Sequence, residues 1–169
     1  MERVMIIGSN GAGKSTFSYK LAELTGLPLI HIDQIYWRDC WQVTPSEDFE
    51  QAVLSEAQKD RWIIEGNNVR TLKQRLKYAD TVLWFEFPPL RCIYNIFKRE
   101  IKYRNRVRPD MPDQCVSKLG LKFLKSAWKF NRVNRQRIRM QLESVSGVKV
   151  LKFRNYKQVQ KFILNMENG

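Results

Sequence analysis

Cysteine, histidine and acidic side chains are all scarce in this chain of 169 residues, which has Cys 3, His 1 and Asp+Glu 17 against Lys+Arg 30. Cys40, Cys92 and Cys115 are odd in number, widely spaced and without a CxxC pair, which argues against a disulfide framework or a zinc site and for a reducing compartment. No apolar run approaches the roughly 20 residues that a membrane helix needs, and the start MERVMIIGSN lacks the apolar stretch and cleavage site of a signal peptide. The expectation is a cytoplasmic protein with no membrane partner. Repeats and low-complexity tracts are also lacking, and a hydrophobic content of 43% suffices for one packed core, so residues 1–169 read as a single domain. The shortage of acid leaves a formal charge of +13, which points to a polyanionic partner, nucleotide phosphate or nucleic acid. That excess is local. Residues 1–90 carry ten basic and twelve acidic side chains, residues 91–139 carry fifteen and three, and residues 140–169 carry five and two.

Val4-Met5-Ile6-Ile7 is a short apolar run that stops at a glycine-rich turn, after which Phe17, Leu21 and Leu24 recur at helical spacing. Further strands are predicted at 28–32, 61–64, 81–87 and 148–153. Thr44 as N-cap, Pro45 at the first helical position and Glu47 predict a helix opened by a capping box, with Phe49, Ala52, Val53 and Ala57 along one face. A helix from about Leu90 should bury Ile93, Phe97 and Ile101 and display Arg91, Lys98, Arg99 and Lys102. Residues 104–115 contain Pro109 and Pro112 and read as a loop; a long basic helix then carries Leu121, Leu124, Trp128, Ile138 and Leu142. Asn155 can cap a closing helix with Val159, Phe162, Ile163 and Met166 on its inner face. Strands alternating with helices, several of them almost wholly apolar, predict an α/β fold: a parallel five-stranded sheet between two helical layers. The connection between the fourth and fifth strands, at roughly 60 residues, far exceeds one crossover and holds the charge excess, so residues 91–139 read as a basic helical insertion.

Gly8-Ser9-Asn10-Gly11-Ala12-Gly13-Lys14-Ser15-Thr16 matches G-x-x-x-x-G-K-[ST] between the first strand and the first helix, the context that the motif requires. Glycines let backbone N–H groups turn around a phosphate, and the following helix aims its positive end at the same anion. Lys14 reaches the β- and γ-phosphates, the Ser15 hydroxyl suits Mg²⁺ held between them, and Thr16 is a further phosphate donor. The cofactors expected are therefore ATP and Mg²⁺. Phosphoryl transfer also needs acidic groups at the carboxyl edge of the sheet, where Asp33 and Glu65 close their strands. Glu65 ends a Trp-Ile-Ile-Glu run and is assigned to the Mg²⁺ shell, partly through water. Asp33 is assigned to the acceptor hydroxyl, with the metal as its alternative. His31 reads as a packed, hydrogen-bonded histidine rather than a catalytic one.

The segments GSNGAGKST, TGLPLIHIDQIYW, RWIIEGNN, YADTVLWFEFP and RNRVRPDMPD together resemble the adenylate-kinase-like P-loop proteins called DNA topology modulation proteins, of the FlaR-related type. The resemblance runs from Met5 to about Phe162. It implies the nucleoside-monophosphate-kinase fold, with a P-loop NTPase sheet in the order 2-3-1-4-5 and a lid between strands 4 and 5. That order would set Glu65 beside Ser15 and leave Asp33, Trp37, Arg38 and Trp41 on the acceptor side. Where nucleoside monophosphate kinases carry Asp-Gly-Phe-Pro-Arg, this chain has Glu65-Gly66-Asn67-Asn68-Val69-Arg70.

As a lid, the insertion would close arginines over the triphosphate: Arg99, Arg104, Arg106 and Arg108 on the near side, with Arg132, Arg135 and Arg139 returning. Of these, Arg99 and Arg104 are assigned to catalysis and Arg99 and Arg135 to nucleotide binding. Fifteen basic side chains exceed that need, leaving a solvated face, a weak nucleic-acid surface over 91–139 or a second polyanion as readings of the surplus. Phe123, Trp128 and Phe130 read as core contacts, and Tyr36, Trp37 and Trp41 as either an acceptor pocket or cover for the sheet edge. The leading expectation is an ATP-dependent kinase acting on a nucleotide or other small acceptor, monomeric or homodimeric. The alternatives are a nucleotide-regulated nucleic-acid-binding protein and a nucleotide binder with slow hydrolysis.

Overall fold

A computed structural model describes residues 1–38, 41–104, 106–112, 115, 128 and 134–168. The chain runs β1 (Arg3–Gly8), α1 (Lys14–Thr25), β2 (Leu29–His31), α2 (Ile32–Tyr36), β3 (Trp37–Arg38), β4 (Gln42–Val43), α3 (Ser46–Ala57), β5 (Trp62–Glu65), α4 (Val69–Leu76), β6 (Thr81–Phe85) and α5 (Pro89–Lys102). A helical stretch over residues 134–143, here α6, precedes β7 (Lys149–Phe153) and α7 (Tyr156–Glu167). Five strands form one parallel sheet in the order β2-β5-β1-β6-β7. The labels differ from the expected 2-3-1-4-5 because residues 37–38 and 42–43 form an additional antiparallel hairpin, which the aromatic residues around it did not reveal.

Alternation along β1 divides the core in two. Met5 and Ile7 face one cluster with Phe49, Val53, Trp62, Leu72, Trp84, Ile138 and Leu142; Val4 and Ile6 face the other with Phe17, Leu21, Leu83, Phe85 and Val159. Helices therefore cover both faces, as the continuous apolar strands require. The closing helix begins as expected, with the Asn155 side chain accepting from the Gln158 N–H at 3.0 Å. Among the described residues no helix is long and apolar enough to cross a membrane.

Four local expectations are corrected. β2 ends at His31, so Asp33 is the second residue of α2 instead of a strand end, although it stays at the carboxyl edge. The capping box does not form: α3 starts at Ser46, and the Thr44 hydroxyl donates instead to the Ile35 carbonyl at 2.7 Å. That bond ties the β-hairpin's base to the helix entrance and consumes the capping group. α5 buries Cys92, Ile96 and Glu100, while Phe97 and Ile101 are exposed, because the buried face is the one that meets the phosphate loop. Trp128 is exposed rather than a core contact; Phe123, Phe130, Leu121, Leu124, Arg132 and Cys40 lie outside the described residues. Cys92 and Cys115 are buried free thiols.

Candidate active site

The loop between β1 and α1 takes its shape from glycine at its two ends. Gly8 has φ +136°, and a Cβ there would fall 2.2 Å from the Phe85 carbonyl oxygen on the neighbouring strand. Gly13 caps α1 in a left-handed conformation without any side-chain cap, so the first-turn N–H groups of a twelve-residue helix are left to an external anion. Two amides hold this loop. From β5's far end, Asn67 accepts from the Gly8 N–H at 2.8 Å and donates to both the Gly8 carbonyl and, at 3.2 Å, the Asn10 side chain. From α5, Asn95 donates to the Gly11 carbonyl at 2.8 Å and to the Tyr156 hydroxyl oxygen at 2.9 Å. Neither asparagine was singled out by sequence, since each acts through contacts 57 to 84 residues away. Ser9, Asn10 and Ala12 complete the cradle, and the Thr16 side chain is open to solvent.

Lys14 and Ser15 open α1 and point at the β5 edge. The Lys14 ammonium, 7% exposed, donates to the Ser9 carbonyl at 3.2 Å and lies 3.8 Å from Glu65 Oε1. Ser15 Oγ lies 3.3 Å from Glu65 Oε2, as strand adjacency of β1 and β5 requires. Glu65 is also 2.9 Å from His31 Nδ1, so the single histidine is buried and bonded, with the role of orienting this carboxylate. Behind Glu65, the fully buried Arg75 donates to the Thr71 hydroxyl and to the Gly66 and Asn68 carbonyls at 2.9 to 3.2 Å. Burial lowers the Arg75 pKa to about 9, against the opposing field of Glu65. That guanidinium fixes the turn carrying Glu65 and Asn67.

A third carboxylate was not anticipated. Asp110, from the strap after α5, brings its Oδ2 to 3.1 Å from Ser15 Oγ. The strap is moored by its proline, whose carbonyl accepts from the Tyr19 hydroxyl and from the Gln34 amide, each at 3.1 Å. Arg108, 7% exposed, stands 3.8 Å from Asp110, and its guanidinium makes no hydrogen bond among the described residues. The only sequence signal was an acid inside a strongly basic run, in the segment RNRVRPDMPD.

These charges act on one another. Burial, then the negative charge of Glu65, pushes the Asp33 carboxyl up to about 6; Asp110 adds to this, while Lys14 and Arg108 oppose it. The side chain keeps an open side toward the cleft and accepts no hydrogen bond among the described residues, so water moderates that push. The Tyr19 hydroxyl is raised by burial and by Asp110 and Glu65. Arg99, lowered first by burial and then by the charge of Arg108, lies at the same end of α5, bonded to Glu100 at 3.3 Å.

The remaining predicted residues are elsewhere. Arg104 and Arg106 are exposed, and among the described residues neither makes a hydrogen bond or ion pair to the phosphate loop. Arg135 donates to Glu86 at 2.9 Å beside Arg154, which lies 3.4 Å from the other oxygen of the same buried carboxylate. Tyr36 packs edge-on against Phe49 and so covers the sheet edge, while Trp37 packs against Trp41. A separate concavity of about 420 Å³ between α4 and α6 is lined by Lys73, Lys77, Arg137 and Met140 among others. Among the described residues its lining contains no carboxylate and shares none with the phosphate loop.

Among the described residues, no three His, Cys, Asp or Glu side chains form a cage for a metal ion. The donor set, one hydroxyl beside carboxylates, instead fits Mg²⁺, which keeps several waters and binds one or two carboxylates together with substrate phosphates.

The sequence matches no protein-family model and no curated protein. Solved structures do match over essentially the whole chain. Shikimate kinase from Acinetobacter baumannii, in complex with shikimate, superposes with a TM-score of 0.58 at 15% identity, covering 99% of this chain and 94% of that one. A gluconokinase from Sinorhizobium meliloti 1021 gives 0.55 at 12% identity over 99% and 92%. Deoxyadenosine kinase from M. mycoides with bound dATP gives 0.54 at 14% identity over 100% of both chains. The fold is that of the P-loop kinases.

Proposed function

We propose that this chain is an ATP-dependent phosphotransferase that moves the γ-phosphoryl group of Mg²⁺-ATP to a hydroxyl or phosphate of a small acceptor. The observation that carries the reading is the convergence of Lys14 and Ser15, at the start of an uncapped helix, on the buried Glu65. Whole-chain likeness to kinases of shikimate, gluconate and deoxyadenosine supports it at the level of the fold. The same reading keeps the chain with the FlaR-related group, on its HIDQIYW, WIIEGNN and RPDM segments.

The backbone N–H groups from Gly8 to Thr16 cradle the phosphates, and Lys14 neutralises charge on the β- and γ-oxygens. Ser15 would hold Mg²⁺ and Glu65, oriented by His31, would hold it through water. An ion there would supply positive charge against that which develops on the phosphates as the bond breaks. The acceptor oxygen attacks the γ-phosphorus, the bond from that phosphorus to the β,γ-bridging oxygen breaks, and ADP leaves. When the acceptor is a hydroxyl, Asp33 takes its proton; a carboxyl at about 6 is ionised at neutral pH and still basic enough to do so. Arg99 stabilises the transferring group from α5.

The test is ADP release with ATP, Mg²⁺ and a panel of nucleosides, nucleoside monophosphates, sugars and cyclic hydroxy acids. One acceptor should raise release at least tenfold over the acceptor-free rate, and Lys14→Ala should abolish the gain. A panel in which none raises the rate, or a gain that survives in Lys14→Ala, overturns the reading.

A further inference from the structure

The strap that follows α5 brings Asp110 to the phosphate loop and carries a side chain of opposite charge, Arg108, beside it. Asp110 reaches Ser15 Oγ at 3.1 Å, the atom that Glu65 approaches from the other side at 3.3 Å. One hydroxyl hydrogen satisfies one carboxylate at a time, so two anions converge on a single donor. The cations nearby stand back at 3.8 Å, Lys14 from Glu65 and Arg108 from Asp110. Both carboxylates are thus drawn to the place where a P-loop serine meets Mg²⁺, with more negative charge than the neighbouring cations match at contact distance.

Arg108 supplies an independent observation. Its guanidinium is 7% exposed and makes no hydrogen bond among the described residues. Its Nε is buried without an acceptor, and a guanidinium left so marks the approach of an anion with acceptor oxygens, as a phosphate has. The strap is also fixed where it must be for this purpose, by Tyr19 from α1 and Gln34 from α2, each donating to the Pro109 carbonyl at 3.1 Å.

We infer that Asp110 is the second carboxylate of the Mg²⁺ site, accepting from the waters of the ion opposite Glu65, so that metal-nucleotide binding pins residues 108–111 against the phosphate loop. Arg108, carried by the same turn, is thereby delivered to a phosphate oxygen. The insertion then responds to the metal through its acid and to the nucleotide through its base. This rests on the proposed use of Ser15 for Mg²⁺-nucleotide, and it extends that reading to a residue from the insertion.

The experiment uses the full chain, the non-hydrolysable β,γ-methylene analogue of ATP, and Mn²⁺ as a paramagnetic substitute. Analogue affinity is measured first in chelator; free Mn²⁺ is then counted by electron paramagnetic resonance in the presence of saturating analogue, for the parent chain and for Asp110→Asn and Asp110→Ala. Loss of an outer-shell partner predicts Mn²⁺ binding about tenfold or more weaker in both variants. Metal-free analogue affinity should stay within twofold of the parent. Amide exchange over residues 106–112 should slow on adding Mn²⁺ to the parent complex and not to the variant complexes. Mn²⁺ affinity within twofold of the parent, or equal protection of the strap in Asp110→Ala, overturns the inference. A parent chain that binds no analogue even in chelator overturns the P-loop reading itself, which the metal-free arm keeps distinct.

Discussion

The near-neutral first half and the basic insertion use charge in opposite ways. In residues 1–90 the ionisable groups that matter are buried and paired: Lys14 against Glu65, Glu65 against His31, and Arg75 wrapped by the carbonyls of the turn it supports. Among the described cations of the insertion most are exposed, and Arg104 and Arg106 make no hydrogen bond or ion pair with the described residues of the site. What the insertion does send to the phosphate loop is Asn95 and Asp110, with the buried Arg108 beside the latter. Among the described residues of the insertion, then, it is an acid, Asp110, that hydrogen-bonds to Ser15, and no base does. Net charge located the insertion, but contact geometry selects from it an amide, an acid and one base. The difference teaches that an excess of one sign is a solvated background against which the minority sign carries information.

The comparison breaks most sharply at Lys14. If the first half holds the chemistry, Lys14→Ala lowers kcat/KM for phosphoryl transfer by about a thousandfold, whereas Arg104→Ala changes it less than about threefold. Steady-state ADP release with the best acceptor checks both; equal losses would return the exposed arginines to the site. Next in size is a stability effect. Arg75→Met strips three hydrogen bonds from a fully buried turn and should cost about 3 kcal/mol, or a fall in Tm of roughly 6–12 °C. The matched surface control, Arg106→Met, should stay within about 0.5 kcal/mol in the same melts.

Much of this was legible because it is local. The P-loop is a contiguous string between an apolar strand and a helix, Glu65 closes a three-residue apolar run, and Asn155 caps at a spacing of three residues. What escaped depends on contacts between distant segments. Periodicity alone cannot say which of two apolar stripes on α5 is buried: Ile93, Phe97 and Ile101 share the helical repeat with Cys92 and Ile96, and the Asn95 bond to Gly11 decides between them. Thr44 has the chemistry of a cap, yet the Ile35 carbonyl of α2 competes successfully for its hydroxyl. Asp110 sits 95 residues from Ser15, and only the folded strap joins them. The sheet order was implied by family resemblance, not by pattern, and the ladder of β5 beside β1 is what makes Glu65 and Ser15 neighbours.

Arg135 sharpens the contrast in a subtler way, because it belongs to the insertion but serves the sheet. Burial pushes the Glu86 carboxyl up, but the hydrogen bonds and charges of Arg135 and Arg154 outweigh it and hold it below the ordinary range. Each arginine can stand in for the other, so either alanine alone should cost under about 1 kcal/mol. Losing both leaves a buried carboxylate unpaired and should cost about 1–2 kcal/mol beyond the sum. A lowered folded pKa stabilises above the unfolded value and loses that contribution as pH falls through the folded one. The gap between parent and double variant should therefore be full at pH 7 and vanish in acid below the usual carboxylate range, as read by denaturant melts. A gap that persists there would mean that packing, not charge, joins the insertion to β6.

The smallest effect lies at Asp33, where the two regions' carboxylates meet. Its folded pKa is raised to about 6, so the sign is opposite to that of Glu86: the ordinary carboxyl titrates near 3.9, and ionising within the fold is resisted by Glu65 and Asp110. Stability associated with the protonated form is complete in acid and is lost as pH rises through about 6. Asp33→Asn removes the resisted charge. The variant should match the parent near pH 4 and be modestly more stable than it at pH 8, with the gain kept small by water at the open side of the residue. Asp110→Asn in the same background should reduce that gain, because one of the two repelling carboxylates would already be gone. A gain unchanged by Asp110→Asn would show that the strap's acid exerts no field on the cleft and would leave the first half as the sole owner of its charge network.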